Sequence, residues 1–157
     1  MRTAQSAYRK ALTARRFPQG ASRKALRVLL PGGRLAHFRF EDLDIWHLAC
    51  ELAVECQRVA DRLEEGRLYR YAEQLRAAGL SVSNNIAEGS GSLHGNEFRQ
   101  FLNIARRSDF ECASMLHVFC RLGVLSEEEM KPLLDRCDEL SRKIMNYAKR
   151  LREERKA

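Results

Sequence analysis

Apolar residues recur every three or four positions along most of the chain, and this spacing predicts four amphipathic helices. Gly66 separates the first two apolar stripes, and Gly123 follows the third. The stripes are Leu43, Trp46, Cys50, Ala53, Cys56, Ala60 and Leu63; Leu68, Tyr71, Leu75, Ala78, Val82 and Ile86; Phe98, Phe101, Ala105, Cys112, Met115, Phe119 and Leu122; and Leu133, Cys137, Leu140, Ile144, Tyr147 and Leu151.

The connections between these stripes are short, so neighbouring helices should run antiparallel. The fold class expected is all-α, an up-down-up-down four-helix bundle. Ser126 followed by Glu129 has the spacing of a capping box and marks the start of the fourth helix. Pro132 lies about a turn and a half further on, where it favours a kink or a later helix start.

The charge of the chain is unevenly distributed. The net charge is +7, yet residues 1–36 hold nine of the 28 basic residues and none of the 21 acidic ones. We therefore divide the chain into a basic tail, residues 1–37, and a bundle, residues 38–157. The tail should be disordered or stem from a misassigned start codon, although an Arg-rich, acid-free segment also suits nucleic acid or a mitochondrial transit peptide.

The five cysteines form no CxxC pair and are odd in number, so neither a disulfide framework nor a zinc knuckle is expected. Three of them, Cys56, Cys112 and Cys137, fall on apolar stripes, where cysteine behaves as a small hydrophobic residue. These features favour a reducing, cytoplasmic environment. No apolar run approaches the length of a membrane span, so a soluble protein without membrane contact is expected.

The segment SVSNNIAEGSGS, residues 81–92, interrupts the apolar pattern with polar residues at helical spacing. A hairpin at residues 89–92, with Gly89 as the helix cap, should bring a polar stripe of helix two against one of helix three. Buried polar groups must satisfy one another. We therefore predict a structural polar network formed by Ser81, Asn85, Glu88, Glu97, Ser108 and Glu111.

Catalytic interpretations of this segment fit less well. A phosphate loop requires glycines between a strand and a helix, with a lysine, and a carboxylate di-metal site requires Glu-x-x-His pairs. Neither pattern is present, because Glu88 is followed by Gly91 and Glu111 by Ser114 at those positions. Ser108 has no histidine at helical spacing on its face. We expect no catalytic residue, cofactor, metal or small-molecule substrate, and hence no enzyme.

Several motifs together resemble a bacterial four-helix-bundle family, that of the 23S rRNA-intervening-sequence proteins, which is related to accessory variability proteins of diversity-generating retroelements. The resemblance runs from about Phe38 to Arg150. It rests on Phe40-Glu41-Asp42-Leu43 with Trp46, Gln74-Leu75-Arg76-Ala77-Ala78, Ser81-Val82, Asn85-Ile86-Ala87-Glu88-Gly89, Glu97-Phe98, Phe101-Leu102, Ile104-Ala105, Ser108 and Glu111.

The resemblance implies a homopentameric ring without known enzymatic activity, associated with ribosomal RNA insertions or with a reverse transcriptase. In the retroelement relatives, the ring binds RNA and the reverse transcriptase through basic surface. This chain departs from the family pattern at three positions. Ser83 replaces a usual proline, Arg107 a usual glycine and Asp109 a usual apolar residue. The last two place charge near the middle of helix three.

We therefore expect a non-enzymatic, homo-oligomeric scaffold that contacts structured RNA or a ribonucleoprotein. Surplus apolar residues on helix three, Phe110, Leu116 and Val118, indicate an assembly surface. A protein-protein adaptor without direct RNA binding is the alternative, since residues 37–157 hold fewer basic than acidic residues. The candidate contacts with RNA or a protein partner are Arg99, Arg106, Arg107, Arg136, Lys143 and Arg150.

Overall fold

The computed structural model of the chain describes residues 37–153, which form four long helices preceded by one turn of 3₁₀ helix, Arg39–Asp42. The helices are α1 (Asp44–Glu65), α2 (Tyr69–Ser90), α3 (Gly95–Arg121) and α4 (Glu127–Glu153). Each helix packs against the next, and α4 packs back against α1. The predicted all-α bundle is confirmed, while the basic tail up to residue 36 lies outside the described residues and its disorder stays a prediction.

Side chains from all four helices fill a single core. Phe98 and Phe119 of α3 are the largest of the fully buried ones. The Phe119 ring meets Tyr71 at the start of α2, and the Phe98 ring meets Tyr147 near the end of α4, as antiparallel neighbours require. No helix in the described range is long and apolar enough to cross a membrane.

The outer face of α3 differs from the prediction at one position. Leu116 was expected on the surface, but it is buried in the core. It follows Cys112 by four residues and precedes Phe119 by three, so it continues the inner stripe of the helix. Phe110 and Val118 are exposed, at 55% and 41% of their maximum, in agreement with the prediction.

The start of α4 has the capping box that the sequence predicts. The backbone N–H of Glu129 donates to Ser126 Oγ at 3.2 Å, and the N–H of Ser126 donates to Glu129 Oε2 at 2.9 Å. These reciprocal bonds satisfy two N–H groups that a helix N-terminus leaves without partners. The helix begins at Glu127 and continues through Pro132, so a later helix start was wrong.

Gly89 does not cap α2, contrary to the prediction, because the helix continues to Ser90 and Gly91 follows it. The glycine is buried inside the last turn of α2, where α3 approaches closely. A Cβ atom at this position would lie 2.6 Å from Phe101 Cβ and 2.6 Å from Phe98 Cδ2. Glycine is therefore required here by helix packing and not by backbone conformation.

Two helices end with the same backbone pattern but with different residues in its left-handed position. After α1, Arg67 has φ 61°, and the N–H of Leu68 donates to the carbonyl of Leu63 at 2.8 Å. After α3, Gly123 has φ 72° in the equivalent position. Glycine is the usual residue there because a Cβ atom is strained at positive φ.

Exchanging these residue types should therefore have opposite effects on stability. Arg67→Gly should stabilise the bundle by about 0.5–1 kcal/mol, because relief of backbone strain exceeds the gain in unfolded-state entropy. Gly123→Ala should destabilise it by about 1 kcal/mol. Urea unfolding of both variants measures these changes, and a loss of stability in Arg67→Gly would contradict the prediction.

Candidate functional site

A short chain of hydrogen bonds links α2 to α3 within the segment singled out by the sequence. The hydroxyl groups of Ser81 and Ser108 lie 2.9 Å apart. Asn85 Nδ2 donates to the Ser81 carbonyl at 2.7 Å and to Ser81 Oγ at 3.0 Å. Ser108 is buried, and the other two side chains are half-buried. Three of the six residues of the proposed network are thus in contact.

The three glutamates of the proposed network do not take part in it. Glu88, Glu97 and Glu111 are exposed, and none makes a hydrogen bond or ion pair with another described residue. The register of α2 against α3 explains this correction. Because position 81 lies opposite position 108, an antiparallel helix pair places Glu88 near the level of residue 101 and Glu111 near residue 78. Glu97 lies beyond the end of α2.

The hydrogen bonds of the Asn85 side chain should make a measurable contribution to the free energy of unfolding. Asn85→Ala should lower the free energy of unfolding by about 1 kcal/mol, because the amide donates twice to Ser81. Asn84→Ala, at the exposed neighbouring position, and Glu88→Gln should both be close to neutral. Equal melting temperatures for Asn85→Ala and Asn84→Ala would show that the link contributes little.

Sequence reasoning missed an ion-pair cluster between α1 and α2. Arg76 donates to Glu64 at 2.6 Å, to Asp61 at 2.9 Å and to the Gln57 side chain at 3.1 Å. The hydrogen bond that the Arg76 guanidinium donates to Glu64 is the main cause that raises the pKa of Arg76. Two acidic residues three apart on α1, facing one arginine, are the sequence signal for this contact. The arrangement links α1 to α2 and engages the Arg76 guanidinium with two carboxylates.

Three of the six candidate contact residues are engaged within the bundle. Arg136 pairs with Glu51 at 3.1 Å, and Lys143 pairs with Glu139 at 2.9 Å. Arg106 Nε donates to Ser141 Oγ at 2.9 Å, and its guanidinium lies 4.7 Å from the centre of the Phe110 ring. The positive charge of Arg136 and Lys143 is therefore partly compensated by neighbouring carboxylates.

The other three candidates have no acidic partner among residues 37–153. Arg107 is exposed, and the guanidinium of Arg150 lies over the Tyr147 ring at 5.2 Å. Arg99 lines an open cleft of about 480 Å³, and the other described residues that line it are three amide side chains of the same helix, Asn96, Gln100 and Asn103. Such a cleft presents a cation and several hydrogen-bond donors to solvent.

Asp109, which departs from the family pattern, is buried in the core of the bundle. Its side chain is 1% exposed, and neither carboxyl oxygen has a hydrogen-bond partner among the described residues. Burial raises the pKa of Asp109 to about 7, and the nearby Cys137 thiol and Arg106 guanidinium lower it only in part. Its burial could have been inferred from its position, because Asp109 lies four residues after Ala105 and three before Cys112, on the apolar stripe of this helix.

Three thiols form a group next to this carboxyl: Cys112 and Cys137 lie near Asp109, and Cys56 lies near both of these thiols. Cys56, Cys112 and Cys137 are buried, as their places on the apolar stripes predict. The Cys56 thiol raises the pKa of Cys112 through a hydrogen bond, and burial raises the pKa of Cys137. Cys112 and Cys137 therefore stay protonated at neutral pH. The part of the chain that the structure describes brings no three His, Cys, Asp or Glu side chains into an arrangement that could hold a metal ion.

A second open cleft lies between α2 and α3, at the end opposite Gly89. It has a volume of about 260 Å³ and is lined by Tyr71, Gln74, Glu111, Ser114, Met115, Val118 and Phe119. Tyr71 and Val118 are 46% and 41% exposed at its edge. This part of the α2–α3 face therefore presents apolar side chains next to polar ones and is accessible to another molecule.

Comparison with known proteins places the chain in a family. The structure is similar to the crystal structure of a protein of unknown function from the S23 ribosomal protein family of Bacteroides thetaiotaomicron, with a TM-score of 0.64 and 21% identity over 67% of this chain and 98% of that chain. No curated protein matches the sequence. The family model described as 23S rRNA-intervening sequence protein matches residues 41–146. The chain therefore belongs to the family of 23S rRNA-intervening sequence proteins.

Proposed function

We propose that this chain is a non-catalytic scaffold that assembles into a homopentameric ring and contacts structured RNA, alone or within a ribonucleoprotein such as a retroelement reverse transcriptase. The cleft at Arg99 is the observation on which the RNA contact rests. At protein–nucleic acid interfaces, many hydrogen bonds go to phosphate and sugar, and Arg, Lys, Asn and Gln are among the side chains that donate them. The cleft combines Arg99 with three amides, and no acidic side chain lines it among residues 37–153.

Repetition around a ring would strengthen such a contact. One cleft with one uncompensated arginine offers only weak binding, but several copies in one assembly act together and raise the overall affinity. Further positive charge comes from Arg107, which lies on α3 as Arg99 does, and from Arg150 on α4. The proposed RNA surface therefore comprises Arg99, Arg107 and Arg150, without the ion-paired Arg136 and Lys143.

Variants of the two sets of basic residues test this surface. Substituting Arg99, Arg107 and Arg150 together with alanine should weaken binding to a 23S rRNA hairpin that contains an intervening sequence. It should also make the dependence of affinity on salt shallower, because each lost phosphate contact lowers the slope by about 1. The control substitutes Arg136, Arg142 and Lys143, which all pair with carboxylates. Equal losses in both variants would refute the proposed surface.

Exposed apolar side chains on α2 and α3 support self-assembly. Ile104 and Val118 lie fourteen residues apart on one side of α3, and both are exposed. Val118 and Tyr71 lie at the edge of the open cleft between α2 and α3. Exposed apolar patches commonly mark protein interfaces. We propose that this α2–α3 face contacts the neighbouring copy of the chain in the ring.

Light scattering on the full chain tests the assembly. The wild-type chain should have the mass of five 18.1 kDa subunits at micromolar concentration. Val118→Asp should reduce that mass by placing a charge in the interface, whereas Val54→Asp, at a similarly exposed position of α1, should not. A monomeric wild-type chain, or equal effects of both substitutions, would contradict the proposed assembly.

The basic tail adds a separate contact to the proposal. A chain that starts at His37 should remain folded, bind the same hairpin more weakly and show a shallower salt dependence, because nine basic residues are removed. Unchanged binding and salt dependence would show that the tail does not contact RNA. Loss of folding would contradict the division of the chain into tail and bundle.

A protein-protein adaptor is the second candidate function. The ion pairs of Arg136 and Lys143 favour it, because they leave α4 with less free positive charge than its sequence suggests. The RNA titration distinguishes the two functions. An assembly that retains its mass but does not bind the hairpin at low salt would support the adaptor and rule out the RNA contact.

A further inference from the structure

The buried carboxyl group of Asp109 has a basic neighbour, Arg106, whose guanidinium contacts other side chains instead. Arg106 precedes Asp109 by three residues on α3, and side chains at this spacing are neighbours on a helix. Its guanidinium instead donates to Ser141 Oγ on α4 and lies over the Phe110 ring. Among the described residues, neither oxygen of Asp109 has a partner at ordinary hydrogen-bond distance, and the weakly donating Cys137 thiol is the donor that lies near them.

An uncharged Asp109 fits this arrangement better than an ionised one. A buried carboxylate without a partner is costly, whereas the protonated group loses only ordinary hydrogen bonds to water. Once the proton leaves for solvent, the negative charge must either remain unpaired in the core or attract a cation. Arg106 is the cation that can reach it, because it is already half-buried one helical turn away.

The other groups around Asp109 cannot take this role. On α4, Cys137 is a buried thiol and Asp138 is an acid that raises the pKa of Asp109. On α3 and α1, Cys112 and Cys56 are buried thiols. The acidic side chains of α2, Glu73 and Glu88, are exposed, and its Arg76 is bound to Asp61 and Glu64.

We propose that Asp109 and Arg106 form a two-position switch. When Asp109 carries its proton, the Arg106 guanidinium binds Ser141 and covers Phe110. When Asp109 releases that proton to solvent, the guanidinium turns inward to pair with the carboxylate. The Ser141 hydrogen bond and the contact with the Phe110 ring are then lost.

The surface consequence of the switch lies at Phe110. Its ring is 55% exposed on the outer side of α3 even with the guanidinium over it. Removing Arg106 from the ring uncovers more apolar area and withdraws a positive charge from the surface. The switch thus makes the polarity of this part of α3 dependent on pH.

Fluorine NMR of the full chain containing fluorinated phenylalanine tests the switch. The signal of Phe110, assigned with Phe110→Leu, should move between pH 5.5 and 8.5 in a single transition. In Asp109→Asn, which keeps the shape of the side chain but cannot ionise, the signal should stay at its low-pH position. Asp135→Asn, an exposed control on α4, should titrate as the wild type does. An immobile Phe110 signal in the wild type, or the same transition in Asp109→Asn, would overturn the proposal.

Ser141→Ala provides a second test that leaves Asp109 in place. This variant removes the hydrogen-bond partner of Arg106 in the protonated state only, so the inward position becomes easier to reach. The midpoint of the Phe110 transition should move to lower pH by about 0.5–1 unit, as expected for the loss of one hydrogen bond. A midpoint that is unchanged or moves to higher pH would contradict the exchange between Ser141 and Asp109.

Discussion

Gly89→Ala should destabilise the bundle by about 2–3 kcal/mol, near the upper end of the range for overpacked cores. The added methyl group would lie 2.6 Å from both Phe98 Cδ2 and Phe101 Cβ. Neither atom is the free end of a flexible side chain, because Phe98 is fully buried and the Cβ of Phe101 is fixed to the backbone. The clash must therefore separate α2 from α3, and it exceeds the gain of about 1 kcal/mol that alanine brings to a helix.

Gly95→Ala is the matched control for this prediction. Gly95 also lies within a helix, at the start of α3, but the nearest atom to an added Cβ is 3.9 Å away. The substitution should be neutral or slightly stabilising, because alanine loses less backbone entropy on folding. Urea unfolding of the two variants compares them directly. A Gly89→Ala variant as stable as Gly95→Ala would show that the helices can separate at little cost.

The fold could be predicted because four apolar stripes of helical period, separated by short connections, fit few architectures. The residues that face the core were predicted less reliably than the helices themselves, because apolar residues occur on several sides of some helices. In the first half of α1, the buried stripe runs one residue earlier than predicted, through Ile45, Ala49 and Leu52. Several positions of α1 are apolar, so the sequence alone could not fix which of them faces the core.

The polar contacts could be predicted only in part, because they depend on the register between helices. Spacing within α2 correctly placed Ser81 and Asn85 on one face. It could not show that Ser81 lies opposite Ser108, which leaves Glu88 and Glu111 outside the contact. The same limit applies to Gly89, whose role depends on how closely α3 approaches and not on any property of α2.

Asp109 was recognised in the sequence as an unusual charge in the middle of the third helix, but its burial was not predicted. A carboxyl group in a core stripe contradicts the hydrophobic pattern that identifies such stripes, and a sequence interpretation therefore places it on the surface. In the structure it lies among Cys112, Cys137 and Arg106, and no described residue lies at ordinary hydrogen-bond distance from its oxygens. A charged residue type on an apolar core stripe is a departure of the kind found at functional sites, and Asp109 is such a position.

The stability of the bundle should therefore depend on pH through Asp109. In the unfolded chain an aspartate has a pKa of about 3.9, whereas burial raises the pKa of Asp109 to about 7. The folded state thus binds the proton more tightly. The contribution of protonated Asp109 to stability is fully present below about pH 4, falls as the pH rises and is lost above about pH 7. A shift of this size corresponds to at most about 4 kcal/mol, at about 1.4 kcal/mol per pH unit.

Urea unfolding of the wild type and of Asp109→Asn between pH 5 and 8 isolates this contribution, because other titrating groups are common to both chains. Relative to Asp109→Asn, the wild type should lose stability steadily up to about pH 7 and then level off. Arg106→Gln should deepen the loss, because the ionised carboxylate then has no cation with which to pair. Asp135→Asn, which removes an exposed carboxylate, should follow the wild type. Parallel pH profiles for the wild type and Asp109→Asn would show that Asp109 does not titrate in this range, and that the core accommodates its charge by another route.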